Sequence, residues 1–317
     1  MMMTSADYSP EFIQDCIGSS FPNSRIASAQ VLSGGLINTN LKIEFSSHQP
    51  PVVLRLFRGG AEVCLKETAV LSLVRSTVPV PEVIHVEPNG IRPFCILEFV
   101  NGMTFQQLKR TNDLDAIHQA AASVGTTLAH IGKYQFSKPG RLQTDLAVGI
   151  EYAEGPDPIP RLLDAFLQSE HLQQRIDGAL QQELHGFIWS WAAPLRELSS
   201  ERQLVHCDFG NRNILVDCVK GCWQVVAVLD WEFAVSASPL LDVGHFLRYE
   251  NEAGLREPFF SRAFVEAGGV LPSDWRRISR VVDLTGLVHC LTHDQLPHDV
   301  ACEILELIKA TLQSCEL

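Results

Sequence analysis

At 317 residues, with 46% hydrophobic and 20% charged positions, the chain has the composition of a folded protein of two domains or lobes sharing a cleft, with no room for a long disordered region. Lys and Arg total 25 against 37 Asp and Glu, a formal charge of -12, which excludes an anionic polymer such as nucleic acid as partner and would suit a cationic small molecule. No apolar run is long enough for a membrane span and residues 1–11 show no export leader, while nine singly scattered cysteines without zinc-ribbon spacing predict reduced thiols and a cytoplasmic setting.

Residues 31–57 read as strands. Leu41, Ile43 and Phe45 alternate, residues 46–51 form a turn cluster, and residues 52–57 make a second β-rich run, with the Gly34-Gly35 pair punctuating the start. Apolar positions return at helical spacing over 63–74 until Pro79 and Pro81, and 94–100 is another strand-like run closed by Asn101-Gly102. Residues 1–100 are therefore expected to form a β-rich lobe with one helix.

Beyond that turn the period is helical. Ile117, Ala121, Val124, Leu128 and Ile131 share one face, Ile176, Leu180, Leu184, Phe187 and Trp191 another, and Val300, Ile304, Leu307 and Ile308 a third. Two strand-like runs, 214–216 and 223–229, interrupt this half around a Lys220-Gly221 turn. The expected organisation is α+β: a β-rich N-lobe over 1–100, a hinge at its end, and a helical C-lobe over 101–317.

The hairpin carries a geometric prediction. Asn213 stands eight residues before Gly221 and Asp230 nine after, so antiparallel pairing sets them side by side at the open end. Upstream, the segment from His206 through Asp208 to Asn213 enters the hairpin through polar, Gly-containing sequence, which aims Asp208 at the same place. Two carboxylates and a carboxamide there suit Mg2+, and a carboxylate that leaves the metal alone can take a proton from a hydroxyl. That division of labour is the one phosphoryl transfer needs. Taken one at a time, these residues are ordinary polar turn residues flanking a hairpin.

His206-x-Asp208 followed by four residues and Asn213, then an Ile-Leu-Val strand, Leu229-Asp230-Trp231-Glu232 and Pro239-Leu240-Leu241-Asp242 together resemble the aminoglycoside phosphotransferase and choline kinase family, which is related to protein kinases. The resemblance covers residues 30–250 and implies a two-lobed, protein-kinase-like fold that binds ATP and Mg2+. It implies Asp208 as catalytic base, Asn213 and Asp230 as metal ligands, His206 as a buttress of the catalytic loop, and Asp242 as a brace from the next helix. In the N-lobe it implies that Gly34, Gly35, Leu36 and Asn38 line the nucleotide phosphates. Arg55 takes the place of the phosphate-pairing lysine with Glu67 as its ion-pair partner, and the segment from Glu98 to Val100 meets adenine through main-chain groups. A surface ion pair and an ordinary Gly-Gly turn, with Asn38 merely capping it, are the plain alternatives.

Two departures stand out. Cys207 replaces the glycine of the usual His-Gly-Asp, and could crowd the acceptor or point into the core; Gly210 stands where some relatives carry a lysine or serine. The resemblance implies transfer of the ATP γ-phosphate to a hydroxyl of a small polar acceptor, an aminoglycoside, choline, ethanolamine or homoserine-like molecule. The alternative is a nucleotide-binding pseudoenzyme. Asp145, Glu151, Glu154, Asp157, Asp283, Asp294 and Glu303 could hold an acceptor amine or be solvated helix faces. His289 and His293 would share a helix face near His298 and Cys302, but nothing upstream completes a zinc set, and Cys218 and Cys222 flank the hairpin turn as thiols.

Overall fold

The computed structural model describes residues 9–32, 38–90, 92–149, 155–248 and 256–315. In chain order the elements are α1 (Pro10–Gly18), β1 (Ile26–Val31), β2 (Thr39–Phe45), β3 (Val52–Leu56), α2 (Gly60–Val74), β4 (Val83–Glu87), β5 (Phe94–Glu98), β6 (Met103–Thr104), α3 (Phe105–Lys109), α4 (Leu114–Ile131) and β7 (Gly140–Arg141). They continue with α5 (Pro158–Leu167), α6 (Glu170–Gln173), α7 (Gly178–Ser190), α8 (Ala192–Leu198), β8 (Gln203–Val205), β9 (Ile214–Val219), β10 (Cys222–Val228), β11 (Val235–Ala237), α9 (Leu240–Leu247), α10 (Glu257–Glu266), α11 (Trp275–Leu291) and α12 (His298–Ser314).

The chain divides into two compact units, one of residues 1–113, 143–147 and 212–232, the other of 114–142, 148–211 and 233–317. The first is built on an antiparallel sheet in the order β1-β2-β3-β5-β4. Alternation sends Leu41, Ile43, Phe45, Val52, Leu54 and Leu56 to one face, where they pack with Ile13, Cys16 and Ile17 of α1. Burying each such aliphatic side chain contributes about 1.5–3 kcal/mol. Arg55 leaves the other side of β3, where Glu67 of α2 receives it. The β9–β10 hairpin belongs to this unit: β6 pairs with β9, and the Val228 amide donates to the Pro79 carbonyl at 2.8 Å.

The hairpin turns at Lys220 and Gly221, whose φ values of 54° and 84° suit a two-residue reversal. Its ladder pairs Cys222 with Val219 and Val228 with Ile214, and the Leu229 amide donates to the Asn213 carbonyl at 2.8 Å. Asn213 and Asp230 thus leave the open end of the hairpin as the count from Gly221 predicts.

The second unit is helical. The predicted α4 stripe is buried throughout, and α4 meets α10 so closely that a Cβ on Gly125 would lie 2.2 Å from the Phe260 carbonyl oxygen. Of the second expected stripe, Ile176 lies ahead of α7, because Asp177 caps that helix by accepting from the Leu180 amide. Likewise the strand expected over 94–100 ends at Glu98. Strands β8 and β11 pair antiparallel beside β7, which places His206 at the exit of β8 and Asp242 in the first turn of α9.

Candidate active site

In the sheet unit the centre of polarity is Arg55, buried to 4% exposure on β3. Its Nε and Nη2 donate to Glu67 Oε2 at 3.1 and 3.0 Å, its Nη1 to Asn40 Oδ1 at 3.2 Å, and its Nη2 also to Asp230 Oδ1. Glu67 is itself 1% exposed, so the pair is an interior one and the surface reading is set aside. Burial alone would lower the Arg55 pKa, but Glu67, Asp230 and Glu232 more than offset it and hold the guanidinium charged. Burial pushes the Glu67 and Glu232 carboxyls up, with Asp230 adding to both and Arg55 pulling each down.

Three carboxylates, Glu67, Asp230 and Glu232, face the Arg55 guanidinium, and Lys66 also acts on Glu232, so negative charge is in excess when all are ionised and a bound cation would offset it. Asp230 sits at φ 68°, a left-handed conformation unusual for a residue with a side chain, immediately after the Leu229–Asn213 bond. The donor set of Asp230 and Asn213 is all oxygen, if the amide of Asn213 turns its Oδ1 inward, and fits a hard cation such as Mg2+.

Asn38 is buried and its carboxamide is engaged at both ends: Nδ2 donates to Glu232 Oε2 at 2.8 Å, and Oδ1 accepts from the Arg58 amide at 3.1 Å. It ties the start of β2 to the segment after β10. Gly34, Gly35 and Leu36 lie outside the described residues. The Glu98 amide donates to the Glu82 carbonyl at 2.9 Å and the Glu98 side chain accepts from the Glu82 amide at 3.1 Å, while Val100 follows in irregular chain.

In the helical unit the loop of Asp208 is held by backbone amides. The His206 and Cys207 amides donate to Asp242 Oδ2 and Oδ1 at 2.7 and 2.9 Å, and the Asp208 amide donates to His206 Nδ1 at 3.2 Å. Both His206 and Asp242 are 0% exposed. Burial raises the Asp242 pKa to about 7 against the pull of the two amides, and Asp208 and Asp283 add to the rise. Cys207 has φ 67°, which explains why glycine is at home there. Arg256, fully buried at the start of α10, donates from Nη1 to Asn211 Oδ1 at 3.1 Å and to the Phe246 carbonyl at 3.0 Å.

Glu232, Asn40 and Arg256 had no role from sequence. Asn40 faces Arg55 directly in the β2–β3 register, so the hairpin pairing contained the signal; Arg256 is 45 residues from its partner and gave none. Among the acidic residues considered for an acceptor amine, Asp157 is buried against Arg196 Nη2 at 2.8 Å and Asp283 against Arg248 at 2.6 Å. Asp145, Asp294 and Glu303 are exposed, and Glu151 and Glu154 lie outside the described residues. Among the described residues no three His, Cys, Asp or Glu side chains are grouped to hold a metal, and no helix is long and apolar enough to cross a membrane.

The profile of a phosphotransferase enzyme family matches residues 28–280. A curated relative, hygromycin-B 4-O-kinase of Escherichia coli, is 26% identical over 200 residues, which cover 61% of this chain and 55% of that enzyme. The chain therefore spans about half the length of the curated relative it matches. Among solved structures, a ternary complex of aminoglycoside phosphotransferase APH(4)-Ia with ADP and hygromycin B superposes with a TM-score of 0.71 at 22% identity, covering 95% of this chain and 98% of that one. Choline kinase LicA from Streptococcus pneumoniae gives 0.67 at 15% identity, covering 96% of this chain and 98% of that one.

Proposed function

The chain belongs to the phosphotransferase enzyme family, and from that premise we propose that it moves the γ-phosphate of ATP to a hydroxyl of a small, polar, amine-bearing acceptor. The observation that carries the reading is the pair of prepared groups: Arg55 buried among carboxylates in the sheet unit, and Asp208 held on a loop whose amides are fixed by Asp242. The relatives' names point to aminoglycosides and choline, and ethanolamine and homoserine extend that class as the sequence resemblance implies. Nothing in the site favours a binder without transfer, since Asp208, Asn213 and Asp230 are all in place in the sequence.

On this reading residues 1–100 serve the nucleotide and 101–317 supply the catalytic and acceptor groups, with the β9–β10 hairpin that carries Asn213 and Asp230 packed in the sheet unit. Arg55 pairs with phosphate oxygens, a fork in place of the compact charge of lysine. Gly34, Gly35, Leu36 and Asn38 shape the phosphate turn, and the main chain of Glu98 to Val100 meets the base. Asn213 and Asp230 would hold Mg2+, which neutralises phosphate charge when bound. Asp208 orients the acceptor hydroxyl and takes its proton, while His206 and Asp242 keep the loop still. A reducing, cytoplasmic setting would suit nine singly scattered cysteines.

The test is an ADP-release panel with ATP and Mg2+ over hygromycin B, other aminoglycosides, choline, ethanolamine and homoserine, with the phosphorylated product confirmed by mass. Stabilisation by Mg-ATP with turnover of one acceptor class is expected. A protein that ATP neither stabilises nor serves as donor for across the panel would end the proposal.

A further inference from the structure

His245 of α9 stands beside the loop of Asp208 with a partner at each ring nitrogen. Its Nε2 is 3.4 Å from Asp208 Oδ1, and Arg248 Nη2 is 3.4 Å from its Nδ1. Arg248 is fixed in turn by Asp283 of α11, through Nε to Oδ2 at 2.7 Å and Nη2 to Oδ1 at 2.6 Å. A guanidinium carries only donors, so the nitrogen that faces it must offer a lone pair. The ring proton then sits on Nε2, the nitrogen that faces Asp208.

Two further observations agree. Burial, with Arg248 and His206 adding to it, holds the His245 pKa well below the ordinary histidine range, so the contact to Asp208 is a neutral N–H meeting a carboxylate and not an ion pair. A Cβ on Gly210 would lie 3.0 Å from His245 Nε2 and 3.3 Å from Cδ2. The ring therefore occupies the space that a side chain two residues beyond Asp208 would need. Asp242 and Cys290 are further titratable groups that Asp208 acts on.

We infer that His245 is a positioning residue: its tautomer set by Arg248 and Asp283, it donates from Nε2 to Asp208 and holds that carboxylate ionised and in one orientation toward the acceptor. This rests on the reading of Asp208 as the base. It makes Gly210 part of the arrangement, as the gap through which the imidazole reaches the loop.

The first arm of the test does not use turnover. In isotope-labelled full-length protein at neutral pH, the His245 resonance, assigned by its loss in His245→Asn, should report the Nε2–H tautomer. The carboxyl titration of labelled Asp208 should move up by about one pH unit in His245→Phe and in Gly210→Ala, where the new methyl displaces the ring. The second arm uses the best acceptor of the panel, or water as acceptor if none is turned over. There kcat should fall about tenfold in both variants with KM for ATP held within about twofold, and His245→Gln, which keeps an N–H donor, should recover part of the loss. An Nδ1–H tautomer, or an unmoved Asp208 titration in both variants, overturns the inference. Transfer retained by Asp208→Asn would instead sink Asp208 as the base, and the two failures are separable because the resonance arm stands without catalysis.

Discussion

The Cys207 amide donates to Asp242 Oδ1 at 2.9 Å while Cys207 itself is held at φ 67°. The hydrogen bond needs the left-handed turn, and the turn disfavours any side chain. Cys207→Gly should therefore raise stability by about 1 kcal/mol and keep the loop bond, whereas Cys207→Val should lower it by about 1 kcal/mol or more. Thermal melting of the two variants checks the sign.

Arg55 depends on Glu67 more than on any other partner, because Glu67 accepts from two of its nitrogens. Glu67→Ala should cost about 2 kcal/mol, less than the loss of a fully isolated buried pair because Asp230 and Asn40 remain as partners. Arg55→Lys should keep the charge yet lose the fork, raising KM for ATP with a smaller change in kcat. Chemical denaturation and steady-state kinetics separate the two effects.

Asp208→Asn should abolish turnover and leave Mg-ATP binding within a few-fold of the parent, whereas Asp230→Ala should remove the Mg2+-dependent part of nucleotide affinity. Calorimetric titration with and without Mg2+ distinguishes them. Equal loss of folding in both would mean that these are turn residues and nothing more.

Gly244 packs α9 against α11, where an added Cβ would fall 2.2 Å from the Ser279 carbonyl oxygen. Backbone cannot step aside as a flexible side chain can. Gly244→Ala should cost about 3 kcal/mol and, by shifting α9, disturb Asp242 and His245 together. A melting curve and the transfer rate should fall in concert.

The pKa of His289 is depressed from 6.5 to about 4, by burial first and by His293 and Arg141 after it. A histidine depressed in the folded state gives stability that is present above 6.5 and lost as the pH falls toward 4. At full burial the loss is about 3 kcal/mol, trimmed to about 2 by partial exposure. His289→Asn should flatten the fall in stability between these pH values, measured by denaturant midpoints.

The hairpin, its turn and the placement of Asn213 and Asp230 were legible because a two-residue reversal demands φ > 0 and Lys220-Gly221 stands between two β-rich runs. The stripe of α4 was legible from its period. Helix α1 went unread although Ser9-Pro10-Glu11 carries a start signal, with Ser9 accepting from the Phe12 amide. The early onset given to α7 ignored Asp177 as a cap. His245 and Arg256 were beyond reach, because their roles come from α9, α10 and α11 meeting one loop, and no local spacing encodes that.

The exposed tip of the β9–β10 hairpin offers an optical window on the chemistry. Cys218 is exposed near one end of a strand whose other end adjoins Asn213, about 17 Å away at the rise of a β-strand. A dye placed there, with Cys222 and Cys302 changed to serine so that Cys218 is the one fully exposed thiol, would sense ligand-induced change at the far end of the strand without touching it.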